Sequence, residues 1–326
     1  MTRRVPQLVT DLGRRVTSPA MSNRTTASPD LDARAAAILT GCCVIWGLGL
    51  VMVKFANAGL SPVLNAGLRS ACAALLLFTL AMVRGQSLFT RDGTMRDGLL
   101  TGTVFAIEFL FLYIGLTYTT ASRGIIFLHC APFVAAYGEH LFVPGHRLTG
   151  QRVLGLVAAF AGLVVALGDG LWTGVSHTVL FGDFLCFVGG VFWGLTTVII
   201  RAGTMRTASA EKTLLYQLVV SAMVLLVWSF VSGEAHIGTL SPSVLWAFAY
   251  TVVLTVVVGY QTWFWLMRSY SAASLHAFTF LTPIFGVIAG YFILGEPLTI
   301  GTVIGLVLVA GGIYLVNRPQ AAAAPA

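Results

Sequence analysis

A single carboxyl group stands in the middle of one apolar run, TVFAIEFLFLY, which ends at Tyr113. No basic residue lies within a helical turn of this group, Glu108. An ionisable side chain at such a depth in an apolar helix is rare and by default marks a pathway for a solute or an ion. Glu108 is therefore a candidate for holding and releasing a proton. The alternative interpretation is a structural carboxyl that is hydrogen-bonded to a neighbouring helix.

A second set of polar groups lies on a proline-containing run. At about 100° per residue, His129, Pro132 and Glu139 fall within one sector of a helix roughly 80° wide, which could face a cavity. Glu139 is followed by His140, and this pair could equally lie among lipid headgroups. His129 lies deeper in the run, where a lone imidazole is also common as a packing residue.

A later run repeats this geometry. His276, Thr279 and Pro283 share a helical face, together with Gly286 and Gly290. Proline leaves a backbone carbonyl one turn earlier without its helical partner, so a cavity or a neighbouring helix must satisfy that carbonyl. The sequence therefore predicts helix breaks in both runs.

Aromatic residues surround a third candidate face, formed by Tyr250, Gln261 and Trp265. Aromatic walls with a few polar groups suit a small organic solute. Trp263 and Trp265 could instead form an aromatic belt at the membrane interface, and the belt is favoured for Trp263. The predicted pathway residues are Glu108, His129, Glu139, Gln261, Trp265, His276 and Thr279, with helix breaks at Pro132 and Pro283.

Several other charges have structural interpretations. Lys54 and Arg201 lie near the ends of runs, where long side chains can extend to the interface. Arg69 is deeper and is expected to pair with an acid. Asp183 is expected to cap the N-terminus of a helix, as is Glu296.

The composition indicates an integral membrane protein. Of 326 residues, 57% are hydrophobic and only 10% are charged, whereas soluble chains have about a quarter charged residues. Five cysteines without metal-site spacing are expected to be free thiols. Ten apolar runs are long enough to span a bilayer as helices, with approximate limits 36–57, 62–83, 98–117, 121–143, 149–167, 180–200, 213–231, 243–267, 272–294 and 298–316.

The distribution of basic residues predicts the orientation. With the N-terminus inside, all of the 19 lysines and arginines except Lys54, Arg69 and Arg123 fall in the tails or in the segments on the cytoplasmic side. Both termini are therefore expected in the cytoplasm. Residues 1–35 are expected to be a disordered tail without a secretory leader, and residues 318–326 a low-complexity tail. Met21 is an alternative start.

The chain contains an internal repeat. With offsets of about 150 residues, the second half repeats the residue types of the first. Each half contains five runs, and because five is odd, the second half enters the membrane from the opposite side. The predicted architecture is all-α, with two inverted five-helix repeats at 36–167 and 168–317, which favours alternating access to a midplane site. The matched positions include Trp46 with Trp193, Pro132 with Pro283, Gly155 with Gly305, and Gly162 with Gly312.

Five stretches resemble the drug/metabolite transporter superfamily, specifically its EamA-type ten-helix members. The resemblance covers nearly everything between Ala36 and Val316 and implies transport of amino acids, other metabolites or drugs, often outward. One departure is Pro144-Gly145-His146, where a Gly-Glu turn matching Gly295-Glu296 is expected. The stretches are WGLGLVMVK (46–54), SPVLNAGLR (61–69), TYTTASRGIIFLHCAPF (117–133), FGDFLCFVGGVFWG (181–194) and the run from GYQTWFWLMRS to ILGEPLT (259–299).

The predicted function is secondary-active export of a small solute across the cell inner (plasma) membrane. No P-loop motif is present, so a gradient must supply the energy. A passive facilitator or channel is the first alternative, and an integral membrane enzyme is a weaker one, because neither HExxH nor GxSxG occurs. Expected partners are a small-molecule solute, the lipid bilayer and, where Glu108 couples transport, protons; no cofactor, metal or nucleic acid is expected.

Overall fold

A computed structural model describes residues 31–85, 88, 92–119, 121–168, 176–294 and 300–318. Residues 1–30 and 319–326 of the predicted tails lie outside these ranges, as does the turn containing Glu296. Every regular element in the described ranges is a helix, apart from one isolated antiparallel bridge between Leu60 and Ile237. The prediction of an all-α chain is confirmed for these residues.

Helices cover all the predicted apolar runs to within a few residues. In chain order they are α1 (Ala33–Asn57), α2 (Pro62–Val83), α3 (Met95–Tyr118), α4 (Ala121–Leu128), α5 (Ala131–Phe142), α6 (Gly150–Leu167), α7 (His177–Ala202), α8 (Ala210–Val231), α9 (Pro242–Tyr250), α10 (Gln261–Met267), α11 (Ala272–Thr279), α12 (Leu281–Leu294) and α13 (Ile300–Asn317). A 3₁₀ turn, Thr204–Thr207, precedes α8, and a π-helical segment, Thr251–Tyr260, joins α9 to α10.

Seven helical stretches within the described ranges are long and apolar enough to cross a membrane. Five are single helices, α1, α2, α3, α7 and α8, and two are the composite stretches Pro242–Met267 and Ala272–Ile293. α6 and α13 are apolar but shorter. Large apolar side chains face outward, such as Val83 (82% exposed) and Ile300 (80% exposed), which suits contact with lipid. The chain is therefore a multi-pass membrane protein.

Serine residues set the start of several helices. Each serine accepts a hydrogen bond from the backbone N–H three residues later, which satisfies one of the donors that a helix N-terminus leaves open. Ser176 caps α7 in this way, and α7 begins six residues before Asp183. The expectation that Asp183 caps this helix is therefore wrong. The capping serines are Ser176 (α7), Ser209 (α8), Ser241 (α9) and Ser271 (α11).

Two helices are interrupted beside a proline. α4 stops at Leu128, and α5 begins with Pro132 in its first turn. α11 stops at Thr279, and α12 begins with Pro283 in its first turn. Proline has no N–H to donate to the carbonyl four residues earlier, and its ring crowds that carbonyl, so the helix breaks there.

Glycines bring α6 and α13 into backbone contact. A methyl group added at Gly155 would lie 2.8 Å from the carbonyl oxygen of Gly312, and one added at Gly162 would lie 2.7 Å from that of Gly305. Small residues permit such close approach between membrane helices. These four glycines therefore allow the close contact between the two helices. The contacts run in opposite order along the two helices, so α6 and α13 are antiparallel.

Candidate functional site

A cavity of about 170 Å³ lies between the helices and contains Glu108. Its wall is formed by α1, α2, α3, α7, α8, the π-helical segment, α10 and the broken helices. Aromatic and apolar groups make up most of the wall. The aromatic residues of the lining are Trp46, Phe105, Phe109, Tyr113, Trp193, Tyr260, Trp263 and Phe264.

An acidic and a basic side chain line this cavity. Glu108 on α3 is 6% exposed and Arg69 on α2 is 4% exposed. The guanidinium of Arg69 lies over the ring of Phe109, 4.6 Å from its centroid, and 5.8 Å from that of Tyr113. In the described part of the chain, neither side chain forms an ion pair with an N–O distance of 4.0 Å or less. Arg69 therefore stacks on the aromatic rings of α3 instead of pairing closely with an acid.

Other polar atoms of the cavity wall are also unpartnered. Both amide atoms of Gln217 on α8 are buried without a hydrogen-bond partner among the described residues. The same is true of Oε2 of Glu108, Nε of Arg69 and Oγ1 of Thr255 in the π-helical segment. Buried polar groups are nearly always hydrogen-bonded in proteins. The described part of the cavity wall therefore concentrates open hydrogen-bond donors and acceptors.

His129 lines the cavity and also joins the two broken helices. Its Nε2 lies 3.1 Å from the carbonyl oxygen of Thr279. That carbonyl is four residues before Pro283, so it is the one that the proline deprives of its helical donor. Because a carbonyl only accepts, Nε2 of His129 carries the proton and donates it. Thr279 itself is 1% exposed, and its hydroxyl donates to the carbonyl of His276.

His276 lies directly behind the cavity wall. It is fully buried, and its Nε2 is 3.0 Å from Oγ1 of Thr197, which faces the cavity. The imidazole packs against Trp193 and Trp263, with ring centroids 5.2 and 5.0 Å apart. His276 therefore positions three residues of the lining.

Glu139 lies away from the cavity, in a buried ionic cluster. Its carboxylate accepts hydrogen bonds from Nε of Arg201 (2.9 Å) and from the backbone N–H of Ala272 (3.1 Å) and Ala273 (3.4 Å) at the start of α11. Arg201 also donates to the carbonyls of Met267 and Tyr270. The expectation that Arg201 extends to the interface is wrong, because this cluster holds its guanidinium. The side chain of Lys54 lies outside the described set.

The expectation that Trp263 belongs to an aromatic belt at the membrane interface is wrong. Trp263 is 4% exposed and lines the cavity, whereas Trp265 is 49% exposed on the surface beside Arg268. Gln261 lies outside the cavity lining, with its Oε1 buried and without a hydrogen-bond partner among the described residues. The cause is the π-helix, in which each N–H bonds to the carbonyl five residues back instead of four. Each residue then turns the chain by less than 100°, so a face drawn for a continuous α-helix is displaced beyond Tyr260.

Asp183 forms a second buried ionic cluster. It pairs with Arg123, and it accepts a hydrogen bond from the hydroxyl of Thr119 (2.6 Å). Asp183 and Arg123 are 3% and 4% exposed. The pair lies on α7 and α4, outside the cavity lining.

Sequence reasoning did not single out Gln217 as a pathway residue and assigned Arg69 a structural role. Both signals were present, since Arg69 lies inside an apolar run and Gln217 interrupts another. Only the spatial arrangement shows that both reach the wall that contains Glu108. No group of three or more His, Cys, Asp or Glu residues that could hold a metal is found within the described ranges.

Helices of membrane-spanning length around a cavity with buried, unpaired charges define a membrane transport protein. The chain belongs to the EamA-like transporter family, whose model matches it twice, over residues 34–168 and 180–318. This confirms the resemblance seen in the sequence.

Three relatives that are named as transporters or efflux pumps match most of the chain. The chain is 25% identical to an uncharacterized transporter of Archaeoglobus fulgidus, over 89% of this chain and 99% of the relative. It is 28% identical to the uncharacterized transporter YvbV of Bacillus subtilis, over 89% and 93% of the two chains. It is 23% identical to a probable amino-acid metabolite efflux pump of Escherichia coli, over 83% and 91%.

The fold also matches a solved crystal structure. The TM-score is 0.73 at 17% sequence identity, and the match covers 87% of this chain and 96% of the other. At this identity the similarity concerns the fold alone.

Proposed function

We propose that this protein is a secondary-active transporter that exports a small metabolite, amino acid or drug-like solute by alternating access, in exchange for protons. The observation that carries the proposal is the central cavity, in which Glu108 and Arg69 are buried without a close ionic partner. The helices are broken beside this cavity, as they are at the solute sites of transporters that work by alternating access. Relatives named as efflux pumps support outward transport.

The proposed architecture is ten membrane spans in two inverted repeats, with α4–α5, α9–α10 and α11–α12 each forming one span. When the two halves are exchanged, several of the major helix contacts map onto one another. Contacts of α3 with α7 correspond to those of α9 with α1, and contacts of α5 with α7 to those of α12 with α1. The pairs α2–α8 and α6–α13 map onto themselves. This pattern, together with the two family matches, supports the repeat.

Local geometry supports the same repeat. A methyl group added at Gly47 of α1 would lie 2.8 Å from the carbonyl oxygen of Thr282, the residue before Pro283. One added at Gly194 of α7 would lie 2.9 Å from the carbonyl oxygen of Ala131, the residue before Pro132. Each half therefore packs a glycine against the broken helix of the other half. In transporters of this kind, broken helices lie at the solute site and one repeat rocks against the other.

The proposed orientation places both termini in the cytoplasm, and the proposed location is the inner (plasma) membrane of the cell. The orientation rests on the asymmetry of lysine and arginine in the loops. Bacterial relatives support the location.

Proton coupling is assigned to Glu108. The charged or titratable groups that act on it electrostatically are Arg69 from α2 and Tyr260 from the π-helical segment, and Tyr113 lies beside them on its own helix. A carboxyl that is buried in an apolar wall and lacks a close ion pair can be neutralised by a proton without loss of structure. Exchange of that proton would link the cavity to the pH gradient.

The test is solute exchange in proteoliposomes under an imposed pH gradient, with radiolabelled L-leucine, L-phenylalanine and L-threonine as probes. We expect the wild type to move at least one probe at a rate that depends on the gradient, and Glu108→Gln to lose that dependence. Glu211→Gln, which changes a carboxyl outside the cavity, is the matched control. Flux that follows the solute gradient alone in both proteins would identify a passive facilitator and overturn the coupling.

A further inference from the structure

A second pocket, of about 460 Å³, opens on the protein surface where the 3₁₀ turn before α8 meets the end of α10. It shares no lining residue with the central cavity. Two of the side chains that line it are arginines, and no acidic side chain lines it in the part of the chain that the structure describes. The pocket is therefore positively charged. Its lining residues are Arg206, Thr207, Trp265, Arg268 and Ser269.

Both arginines are available to bind an anion. Arg206 and Arg268 are exposed, and among the described residues neither has a carboxylate oxygen within 4.0 Å of its guanidinium nitrogens. A guanidinium presents planar N–H donors that match a phosphate group in geometry and in charge. Ser269 adds a hydroxyl group to the same wall. These groups together suit the phosphate of a ligand.

Hydrogen bonds anchor the backbone on both sides of the pocket. The 3₁₀ turn is held by Asp97 of α3, whose Oδ2 accepts from the backbone N–H and from the hydroxyl of Thr204, each at 2.7 Å. The segment that contains Arg268 is held by Arg201, whose guanidinium donates to the carbonyl of Tyr270 at 2.9 Å. Because the backbone is already ordered, a ligand of this pocket pays little for ordering it.

The surroundings of the pocket favour a lipid over a soluble phosphate. Trp265 is exposed in the pocket wall, and tryptophan is typical of the interface between lipid headgroups and hydrocarbon. α10 packs against α8, and further along both spans, towards the middle of the membrane, apolar side chains remain exposed. Acyl chains can contact these side chains while the arginines bind a headgroup. The exposed side chains are Val219 and Met223 of α8 and Leu254 and Val258 of the π-helical segment.

We propose that this pocket binds the headgroup of an anionic glycerophospholipid, with its phosphate between Arg206 and Arg268 and its acyl chains against α8 and the π-helical segment. Basic pockets between membrane helices are a known type of site for anionic headgroups. In the proposed orientation, the two arginines lie at the cytoplasmic leaflet. The lipid site depends neither on the solute nor on the mechanism of transport, and so it goes beyond the proposed function.

The test is native mass spectrometry of the full-length protein in detergent, with dioleoyl phosphatidylglycerol and dioleoyl phosphatidylcholine as competing probes. The two lipids have the same acyl chains and differ in the net charge of the headgroup. We expect the wild type to prefer the anionic lipid. Removing one arginine at a membrane surface should weaken this preference by about fivefold, so Arg206→Gln and Arg268→Gln should each show that loss, and the double variant should show no preference.

Arg84→Gln is the matched control, because Arg84 is an exposed arginine at the end of α2 and lies outside the pocket. This variant should retain the preference of the wild type. An equal loss in Arg84→Gln would mean that general surface charge attracts the lipid, which would overturn the proposal. Equal binding of the two lipids by the wild type would overturn it as well.

Two further probes distinguish other occupants of the pocket. Glycerophosphoglycerol is the anionic headgroup without acyl chains, and poly-L-glutamate represents an acidic protein segment. We expect neither probe to displace bound phosphatidylglycerol. Displacement by glycerophosphoglycerol would identify a site for a soluble phosphate, and displacement by poly-L-glutamate would identify a protein-binding surface; either result would contradict the lipid assignment. A protein that binds the lipid as expected but moves no solute in proteoliposomes would contradict the proposed function alone.

Discussion

At the scale of single residues, the bond between His129 and the carbonyl of Thr279 compensates for a defect that proline creates. Pro283 removes the helical donor for that carbonyl, and an imidazole from the corresponding broken helix replaces it at 3.1 Å. Since lipid supplies no donor, such a carbonyl must find one within the protein. The histidine therefore has a structural task in addition to its place on the cavity wall.

A double-mutant cycle tests this task. We expect His129→Ala to lower the free energy of unfolding by about 1–3 kcal/mol, the usual cost of leaving a buried polar group unsatisfied. In a Pro283→Ala background the backbone N–H of residue 283 can serve the Thr279 carbonyl, so the same change should cost less. The measurement is reversible denaturation in detergent, with exposed His177→Ala as the control. Equal costs in both backgrounds would contradict the role.

His146 illustrates how a loop residue couples to a buried cluster. Its Nδ1 lies 3.9 Å from Oε2 of Glu139. Burial lowers the pKa of His146, and Arg201 and Arg152 act in the same direction, whereas Glu139 opposes them. The unfolded chain therefore takes up a proton on this ring at a higher pH than the folded chain does.

The lowered pKa of His146 makes the folded protein less stable at low pH. The stability contribution is fully present above the ordinary histidine pKa of about 6.5 and is lost as the pH falls through the lowered pKa of the folded state. We expect His146→Gln to flatten the loss of stability on acidification, measured as the melting temperature against pH. A slope in His146→Gln equal to that of the wild type would rule out the linkage.

At the scale of helices, the contact between α6 and α13 depends on the absence of side chains. A methyl group at Gly312 would lie 2.5 Å from the carbonyl oxygen of Gly155, while one at the adjacent Gly311 would meet nothing within 4 Å. The two positions therefore form a matched pair on one helix. They separate the requirement for close packing from general effects of replacing glycine.

We expect Gly312→Ala to lower the free energy of unfolding by about 1–3 kcal/mol, because overpacking forces the two backbones apart. Gly311→Ala should be neutral or stabilising, since alanine favours the helix more than glycine does. Denaturation of both variants in the same detergent gives the comparison. Similar effects at the two positions would show that the contact is unimportant.

The helices themselves were largely predictable from the sequence, and the reasons are physical. Apolar runs of bilayer length must be helical, because no other open structure satisfies the backbone in lipid. The face of the segment around Trp263 was not predictable, because a π-helix changes the angular step without a clear signature in residue type. The partners of Arg69 and Arg201 could not be predicted from the sequence either, because such pairings depend on how helices far apart in sequence pack together. The repeated prolines identified where the helices break, but not that His129 would satisfy the carbonyl left behind.

At the scale of the whole molecule, buried ionic clusters lie at both ends of α7. Asp183 near its start binds Arg123, and Arg201 near its end binds Glu139. Eighteen residues separate Asp183 from Arg201, which is about 27 Å along a helix. The cavity lies between these levels, lined by Trp193 and Thr197 of the same helix. Under the proposed alternating access, the two clusters lie on either side of the solute site along α7.

The backbone contact between α6 and α13 also bears on how a solute could leave the protein. Neither helix contributes to the cavity lining, and at Gly162 and Gly305 their backbones are too close to admit a side chain. An acyl chain cannot pass where a methyl group does not fit. At these glycines the contact between α6 and α13 leaves no gap towards the lipid. A solute that leaves the cavity therefore cannot enter the hydrocarbon of the membrane there.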